Sequence, residues 1–388
     1  MSEERTILVT GADGYVGWPA ALRLASRFPS ARVVGVDHMG RRRWVEECQS
    51  VSIPPIAEVE VRLSAARQAG YTNLSFVEGD LTDPVFVNEQ ISELKPDTIV
   101  HLAAQPSAPY SELDGEHAAY TQKNNNDSTR NLLWSIRENG LADRTHFIET
   151  TTTGVYGAPG FDIPEGLLDV TTQGGRDKVP YPGMARSWYH MSKCNDINNL
   201  QLSNVQWGLT ITDLRTAIVF GTETEDSAKS LDLRTRFDFD FFFGIVVNRF
   251  CAMAIGNFPI AIYGKGEQSK PYISLEDCVE SIAGAVERPA DPGDMRILNQ
   301  VTKVESVLSL GQTIRREAES LGLDVTLEHV PNPRIENETH RMQIENGAFL
   351  DILGDVRCTM AQGIVQALKA LLEHRDTLLK YRDRFMKE

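Results

Sequence analysis

Residues 6–17 read TILVTGADGYVG. Thr6 to Thr10 is a short apolar, β-branched run without polar alternation, which suits a strand buried on both faces of a parallel sheet. It leads straight into Gly11, Gly14 and Gly17, a G-x-x-G-x-x-G turn, and then into the helical string AALRLA. Glycine permits the tight turn and lets backbone N–H groups approach a pyrophosphate at the start of a helix. A plain strand–helix connection has the same outline, so the segments that follow carry the weight. Arg32 to Asp37 (RVVGVD) reads as a second strand, and Asp37 stands where a carboxylate accepts hydrogen bonds from the ribose hydroxyls of a dinucleotide. An acid there disfavours a 2′-phosphate and selects NAD. Arg41, Arg42 and Arg43 keep NADP open as an alternative, with Arg41 the candidate cofactor contact among them.

The alternation continues. Leu74 to Glu78 leads into Gly79, Asp80 and Leu81, and Thr98 to Leu102 into Ala103, Ala104 and Gln105. In a doubly wound sheet Asp80 and Leu81 fall beside adenine, and Ala103 is small enough to let the dinucleotide lie close. Asn124 to Ile136 is a helix candidate, with His146 to Thr150 a fifth strand and Leu209 to Arg215 a sixth. Strands alternating with helices predict an α/β fold, a Rossmann-type doubly wound parallel sheet. After the sixth strand the alternation weakens, which predicts a smaller C-terminal α/β substrate lobe. The expected division is 1–220 for the nucleotide domain and 221–388 for the substrate lobe, the two interleaved. Arg234 to Asn248 is rich in phenylalanine and reads as core or as a lid. Ala361 to Phe385 reads as a terminal helix with a stripe of Ile364, Leu368, Leu371 and Leu372.

At 388 residues the chain is longer than one growing core usually supports, in keeping with two lobes. A net charge of -15 argues against a nucleic-acid or anionic-membrane surface. The five cysteines are scattered without metal or disulfide spacing, as in a reducing cytoplasm. Met1 to Arg5 is polar, so no signal peptide is expected, and no apolar run is long enough to span a membrane.

Trp188 to Cys194 reads WYHMSKC. Tyr189 and Lys193 lie four apart and share one face of a helix. The ammonium group is expected to lower the phenol's pKa and make it a general base for a carbinol proton. Thr150 to Thr153 follows the fifth strand at the edge where such sheets bind ligands, and a hydroxyl there can position a reacting oxygen.

These features together resemble the extended short-chain dehydrogenase/reductase superfamily. Within it the strings DGYVGW, QPSAPYS (Gln105 to Ser111), YTQKNN (Tyr120 to Asn125), YHMSK, LRTRFDFDFFFG, NRFC, YGKGEQ and VPNPRIENETH are similar to the sulfoquinovose synthase family. The resemblance implies tightly held NAD, a nucleotide-sugar substrate (UDP-glucose), transient oxidation at C4, loss of water across C5 and C6, addition of sulfite, and return of the hydride. It implies Tyr189 as base, Lys193 as its electrostatic partner and ribose contact, Thr152 as positioning hydroxyl and His190 beside the sugar. Gln105 and Asn125 are implied as cofactor contacts, and Arg215, Asn248, Gln268, Lys270 and Arg334 as substrate contacts. A homodimer is implied as well.

The chain departs from that family where Pro106 replaces an arginine and Val155 a glutamate. The Asp-Glu pair of sugar 4,6-dehydratases is absent at Thr153 and Gly154, and relatives have arginine at Lys270. Arg215 stands where the plant-type family has a neutral amide and is expected either to restore a cation near the site or to make a core ion pair. The alternatives are a non-sulfonating 4-epimerase or 5,6-dehydratase and a catalytically silent NAD-binding scaffold.

Overall fold

The computed structural model describes residues 5–157, 159–181, 183–331 and 342–385. One parallel sheet has seven strands: β1 (Thr6–Thr10), β2 (Arg32–Asp37), β3 (Leu74–Glu78), β4 (Thr98–His101), β5 (His146–Thr150), β6 (Thr210–Thr216) and β7 (Met295–Gln300). Their order is β7-β6-β5-β4-β1-β2-β3. The winding reverses between β1 and β4, and ligands bind at such a switch point beyond the carboxyl ends of the strands. The first six strands match the sequence reading to within a residue at each end. The seventh, MRILNQ, comes from the second half of the chain and pairs with β6. It lacks the β-branched run that marks the others, so its pairing partner defines it.

Helices cover both faces. They are α1 (Gly17–Arg27), α2 (Gly115–Glu138), α3 (Trp188–Trp207) and α4 (Leu275–Glu287). Along β1, Ile7 and Val9 join a core with residues of α1 and α4, while Leu8 joins one with residues of α2 and α3. That alternation is why the strand reads as continuously apolar. The helix expected over Asn124 to Ile136 starts nine residues earlier. Asp114 caps it by accepting hydrogen bonds from the Glu116 and His117 amides.

A second core gathers Phe237, Phe239, Phe250, Ile260, Tyr272 and Leu368. Here Ile260–Tyr263 pairs in parallel with Leu327–Val330, and Ser269–Ser274 lies between Ile218–Phe220 and Lys303–Ser306. The single terminal helix expected from sequence is three: Met360–Glu373, Arg375–Lys380 and Arg382–Phe385. His374 and Tyr381 take non-helical backbone angles at the breaks. Phe385 is fully buried, and the Phe241 amide donates to the Arg384 carbonyl oxygen, so the C-terminal segment holds the phenylalanine-rich stretch. No helix among the described residues is long and apolar enough to cross a membrane.

Arg23 of α1 is the main polar tie between the sheet domain and the later chain. It is 5% exposed and pairs with Asp226 at 2.5 Å, Glu276 at 2.6 Å and Glu280 at 2.5 Å. Burial alone would raise the Asp226 carboxyl, but the hydrogen bonds from Tyr71 and Arg23 and the charges of Arg23 and Lys229 carry it below the usual carboxylate range. Arg23→Met leaves Glu276 without its cation and removes one of the cations of Asp226, which keeps Lys229, and of Glu280, which keeps Arg27 and Arg357. It is expected to cost about 3–5 kcal/mol, read as a lower urea midpoint. Because the folded pKa of Asp226 is depressed, its share of that gap is present in full above about pH 3.9. It vanishes as pH falls through the lower folded value, so wild type and variant should converge in acid.

Candidate active site

The carboxyl ends of the sheet open into a cavity of about 620 Å³. One wall is the turn after β1. Gly11 has φ 70°, and a Cβ there would lie 2.7 Å from the Ala103 nitrogen, so only glycine lets the β1 and β4 loops touch. Gly11, Gly14 and Gly17 all line the cavity, as do Asp37, Asp80, Leu81 and Ala103. The Asp37 carboxylate accepts from the Asp13 amide at 2.9 Å and the Met39 amide at 2.8 Å, which fixes it at the end of β2.

The three arginines after it are already engaged. Arg41 lines the cavity but pairs with Asp238 at 2.7 Å and lies over the Phe243 ring at 4.0 Å. Arg42 pairs with buried Asp13 at 2.8 Å, and Arg43 donates to the His38 carbonyl oxygen at 2.8 Å. His38, which sequence reading did not single out, also lines the cavity. Burial opposes its charge, but Asp37, Asp80 and Asn124 outweigh that and raise its pKa.

Another part of the lining carries the candidate reacting groups. Thr152, Tyr189, His190 and Lys193 line the cavity together. Ser187 caps α3 through the His190 amide, and the Tyr189 amide donates to the Ser111 hydroxyl at 3.2 Å, which fixes the first turn of the helix. The Thr152 hydroxyl accepts from the Gly154 amide at 3.1 Å, and its nearness to the Tyr189 phenol acts to lower the phenol's pKa.

The phenol itself corrects the sequence reading, because its pKa is raised, not lowered. Burial is the largest cause; Lys193 works against it, and Asp196 and Glu149 add to it. Lys193 is 3.1 Å from Glu149 and 3.1 Å from Asp196, all three buried. Burial alone would strip the lysine's proton, but the two acids more than restore it. The ammonium is therefore largely neutralised where it stands. Glu149 in turn is raised by burial and then by Asp196. Asp196 sits one turn beyond Lys193 on α3, a spacing that was legible; Glu149 comes from β5 and was not.

His190 is neutral near pH 7. Burial and then the Lys270 charge push its pKa down to about 4, and its Nδ1 meets the Ser187 hydroxyl at 2.8 Å. Its ring covers Gly154 so closely that a Cβ on Gly154 would lie 2.3 Å from Nε2.

Three expected contacts fall elsewhere. Gln105 and Asn125 do not line the cavity. The Gln105 side chain donates to Thr121 at 2.8 Å, and Asn125 accepts from the Gln105 amide and donates to Ser192, a buried network behind the wall. Arg215 is fully buried and pairs with Asp213 at 3.0 Å and the Tyr156 hydroxyl at 3.0 Å, so it is a core ion pair, not a cation facing substrate. Asn248, Gln268 and Lys270 do line the cavity, together with Phe241, Phe242 and Phe243. Of the phenylalanine-rich stretch, Phe237 and Phe239 are core and the next three are wall. Arg334 lies outside the described residues.

The donor set fits a dinucleotide. The bare glycine turn at the start of α1 leaves room for a pyrophosphate, Asp37 is placed for ribose hydroxyls, and Lys193 with Tyr189 lines the same cavity. Among the described residues no group of acids, histidines and cysteines forms a metal site.

Residues 7–299 match the model of the NAD dependent epimerase/dehydratase family. The chain is 37% identical to the UDP-sulfoquinovose synthase of Sulfolobus acidocaldarius over 97% of this chain and 95% of that protein. It is 38% identical to the chloroplastic UDP-sulfoquinovose synthase of Spinacia oleracea over 87% of this chain and 70% of that one. Among solved structures, a UDP-glucose-4-epimerase of Stenotrophomonas maltophila with bound NAD superposes with a TM-score of 0.72 at 19% identity, covering 97% of this chain and 100% of that chain. A UDP-glucuronic acid 4-epimerase of Bacillus cereus in complex with NAD gives 0.66 at 18% identity, covering 98% and 100%. These likenesses support the Rossmann architecture described above. Taken with the placement of the glycine turn, Asp37, Thr152, Tyr189 and Lys193, they establish that the chain belongs to the NAD dependent epimerase/dehydratase family, in the branch that holds the UDP-sulfoquinovose synthases.

Proposed function

We propose that the protein makes UDP-sulfoquinovose from UDP-glucose and sulfite, with C4 of the sugar oxidised and then restored. The observation that carries this reading is that Thr152, Tyr189 and Lys193 line the same cavity as the glycine turn and Asp37. NAD, when bound, takes the C4 hydride and later returns it. Tyr189 accepts the O4 proton, Thr152 holds O4 within reach of the phenol, and Lys193 steadies the phenolate. The 4-ketone acidifies the C5 proton. Water then leaves as that proton and the C6 hydroxide, the sulfite sulfur bonds to C6, and a proton returns to C5. The net change is UDP-glucose plus hydrogen sulfite to UDP-sulfoquinovose plus water.

Gln268 and Lys270 are the residues of the second core's wall suited to the nucleotide diphosphate, with Lys270 a point charge in place of a bidentate arginine. A 4-epimerase remains the second reading. It is favoured by the wall around Thr152 and Tyr189, to which no carboxylate among the described residues contributes; of the described acids, Asp37, Asp80 and Asp238 line the cavity, and Val155 packs in an apolar cluster with Tyr156 and Ile163.

An association of two copies follows from the outer face of α3. Trp188, Met191, Leu202 and Val205 fall on one helical face and are between 43% and 75% exposed, with Trp134 of α2 beside them at 48%. The five cysteines are free, which supports a reducing compartment such as the cytoplasm.

With UDP-glucose and sulfite the purified protein should yield a product detectable by mass spectrometry as the sulfonated sugar nucleotide. Tyr189→Phe should retain NAD and lose about 10²–10⁴-fold in rate. Conversion of UDP-glucose to a 4-epimer without sulfonation would establish the second reading instead. Lys193→Met removes the one charge that lowers the Tyr189 pKa, so the alkaline rise of nicotinamide reduction by UDP-glucose should move to higher pH; a rise at unchanged pH would remove Lys193 from this role. Leu202→Glu combined with Val205→Glu should halve the particle mass in light scattering while leaving the circular dichroism spectrum intact.

A further inference from the structure

The departure at Pro106 leaves the cavity without the cation that the resemblance led one to expect there, and Arg215, the candidate replacement, is locked in the core. Another arginine faces the same space. Arg186 lines the cavity, is exposed, and makes no hydrogen bond or ion pair with another described residue. Its position is set by its neighbours. The Met184 amide donates to the Val155 carbonyl oxygen at 2.8 Å, which ties the segment before Arg186 to the turn that carries Thr152. Ser187 caps α3, and the Trp188 amide donates to Glu112 at 3.0 Å. Arg186 thus stands on a short, pinned stretch between the Thr152 turn and Tyr189, at the sugar end of the cavity.

The charges around it are one-sided. Arg41 is paired with Asp238, and Lys193 with Glu149 and Asp196. The wall formed by Thr150 to Gly154, Gly157, Tyr189 and His190 contributes no carboxylate, and His190 is neutral near pH 7. A guanidinium without a counter-ion in such surroundings offers a planar two-donor fork to an oxyanion.

We propose that Arg186 forms an oxyanion subsite at the sugar end of the cavity, taking a tetrahedral or pyramidal oxyanion such as sulfite, or a carboxylate carried on C6 of the sugar. The inference rests on the proposed placement of the sugar between Thr152 and Tyr189, and its test is independent of turnover. Sulfate serves as an unreactive probe, titrated calorimetrically into the NAD-loaded protein saturated with UDP. Wild type should bind one sulfate per chain. Arg186→Gln should weaken it about tenfold or more, as expected for loss of a charged hydrogen-bonding partner, and Arg186→Lys should recover part of the loss. Equal sulfate affinity in wild type and Arg186→Gln, with unchanged thermal midpoints, would overturn the proposal.

Two kinetic arms then separate the sources of the anion. A rise in the KM for sulfite that exceeds any rise in the KM for UDP-glucose assigns the subsite to the free ion. Loss of UDP-glucuronic acid binding, without an effect of sulfite on wild type, assigns it to a C6 carboxylate. If wild type neither reduces bound NAD with UDP-glucose nor sulfonates it, the proposed function fails while the sulfate titration still decides for or against Arg186.

Discussion

An ammonium group with almost no access to water holds this site together. Lys193 is 3% exposed, and a charge so placed survives only with counter-charges at hydrogen-bonding distance. Glu149 supplies one from the end of β5, and Asp196 the other from the next turn of α3. The triad therefore fixes how α3 lies against the sheet, and with it the height of Tyr189 above the Thr152 turn. Glu149 also pairs in register with His101 of β4 and Asp213 of β6, so the polar row runs across three central strands. His101 is held neutral by burial and meets Thr10 at 2.7 Å and Thr129 at 3.1 Å, which completes the row on the β1 side. A sheet usually buries apolar surface at its centre; here the last residues of its strands form a polar layer beside Thr152 and Tyr189, in which one oxygen of Glu149 makes no hydrogen bond to a described residue.

That arrangement has a chemical consequence. Burial raises the Tyr189 pKa, and Asp196 and Glu149 offset the opposing charge of Lys193, so the phenol holds its proton more tightly than usual in the protein alone. An oxidised nicotinamide ring is itself cationic and, when bound, would add a positive charge that favours the phenolate. The base would then be strongest in need only while the cofactor is ready to accept a hydride, and would keep its proton once that charge has gone. In a cycle that must return both hydride and proton to the same carbinol, holding the proton on Tyr189 in the interval is useful.

The parts of this structure that were legible in the sequence are those whose cause is local. The β1 run, the glycine turn and Asp37 each owe their form to neighbours within a few residues, and the Tyr189–Lys193 spacing needs only helical geometry. Gln105, Asn125 and Arg215 went astray for a different reason. Their strings place them near the site in sequence, but which side of the wall a polar side chain takes depends on Thr121, Ser192, Tyr156 and Asp213, remote partners that no local pattern names. The Tyr189 pKa failed in the same way: Lys193 was visible, but the burial of the phenol and, after it, the charges of Asp196 and Glu149 depend on how α3 packs against the sheet. β7 and the Arg23 cluster are likewise defined by pairing across the chain.

Gly154 shows how a departure that looks like a loss becomes a constraint. Sugar 4,6-dehydratases resembling this chain carry a carboxylate at that position, and its absence first reads as a missing acid. The structure leaves no space for one, since even a Cβ at Gly154 would press on the His190 ring at 2.3 Å. The histidine stays because Ser187, the cap of α3, holds its Nδ1, and it stays neutral because burial and Lys270 disfavour a second charge. A neutral imidazole can take a proton or, in its other tautomeric sense, offer one, whereas a carboxylate there would repel any anion that Arg186 attracts. Glycine at 154, a neutral ring at 190 and a guanidinium at 186 with no partner among the described residues are therefore one electrostatic choice: the proposed sugar end of this cavity is arranged to admit negative charge rather than to supply it.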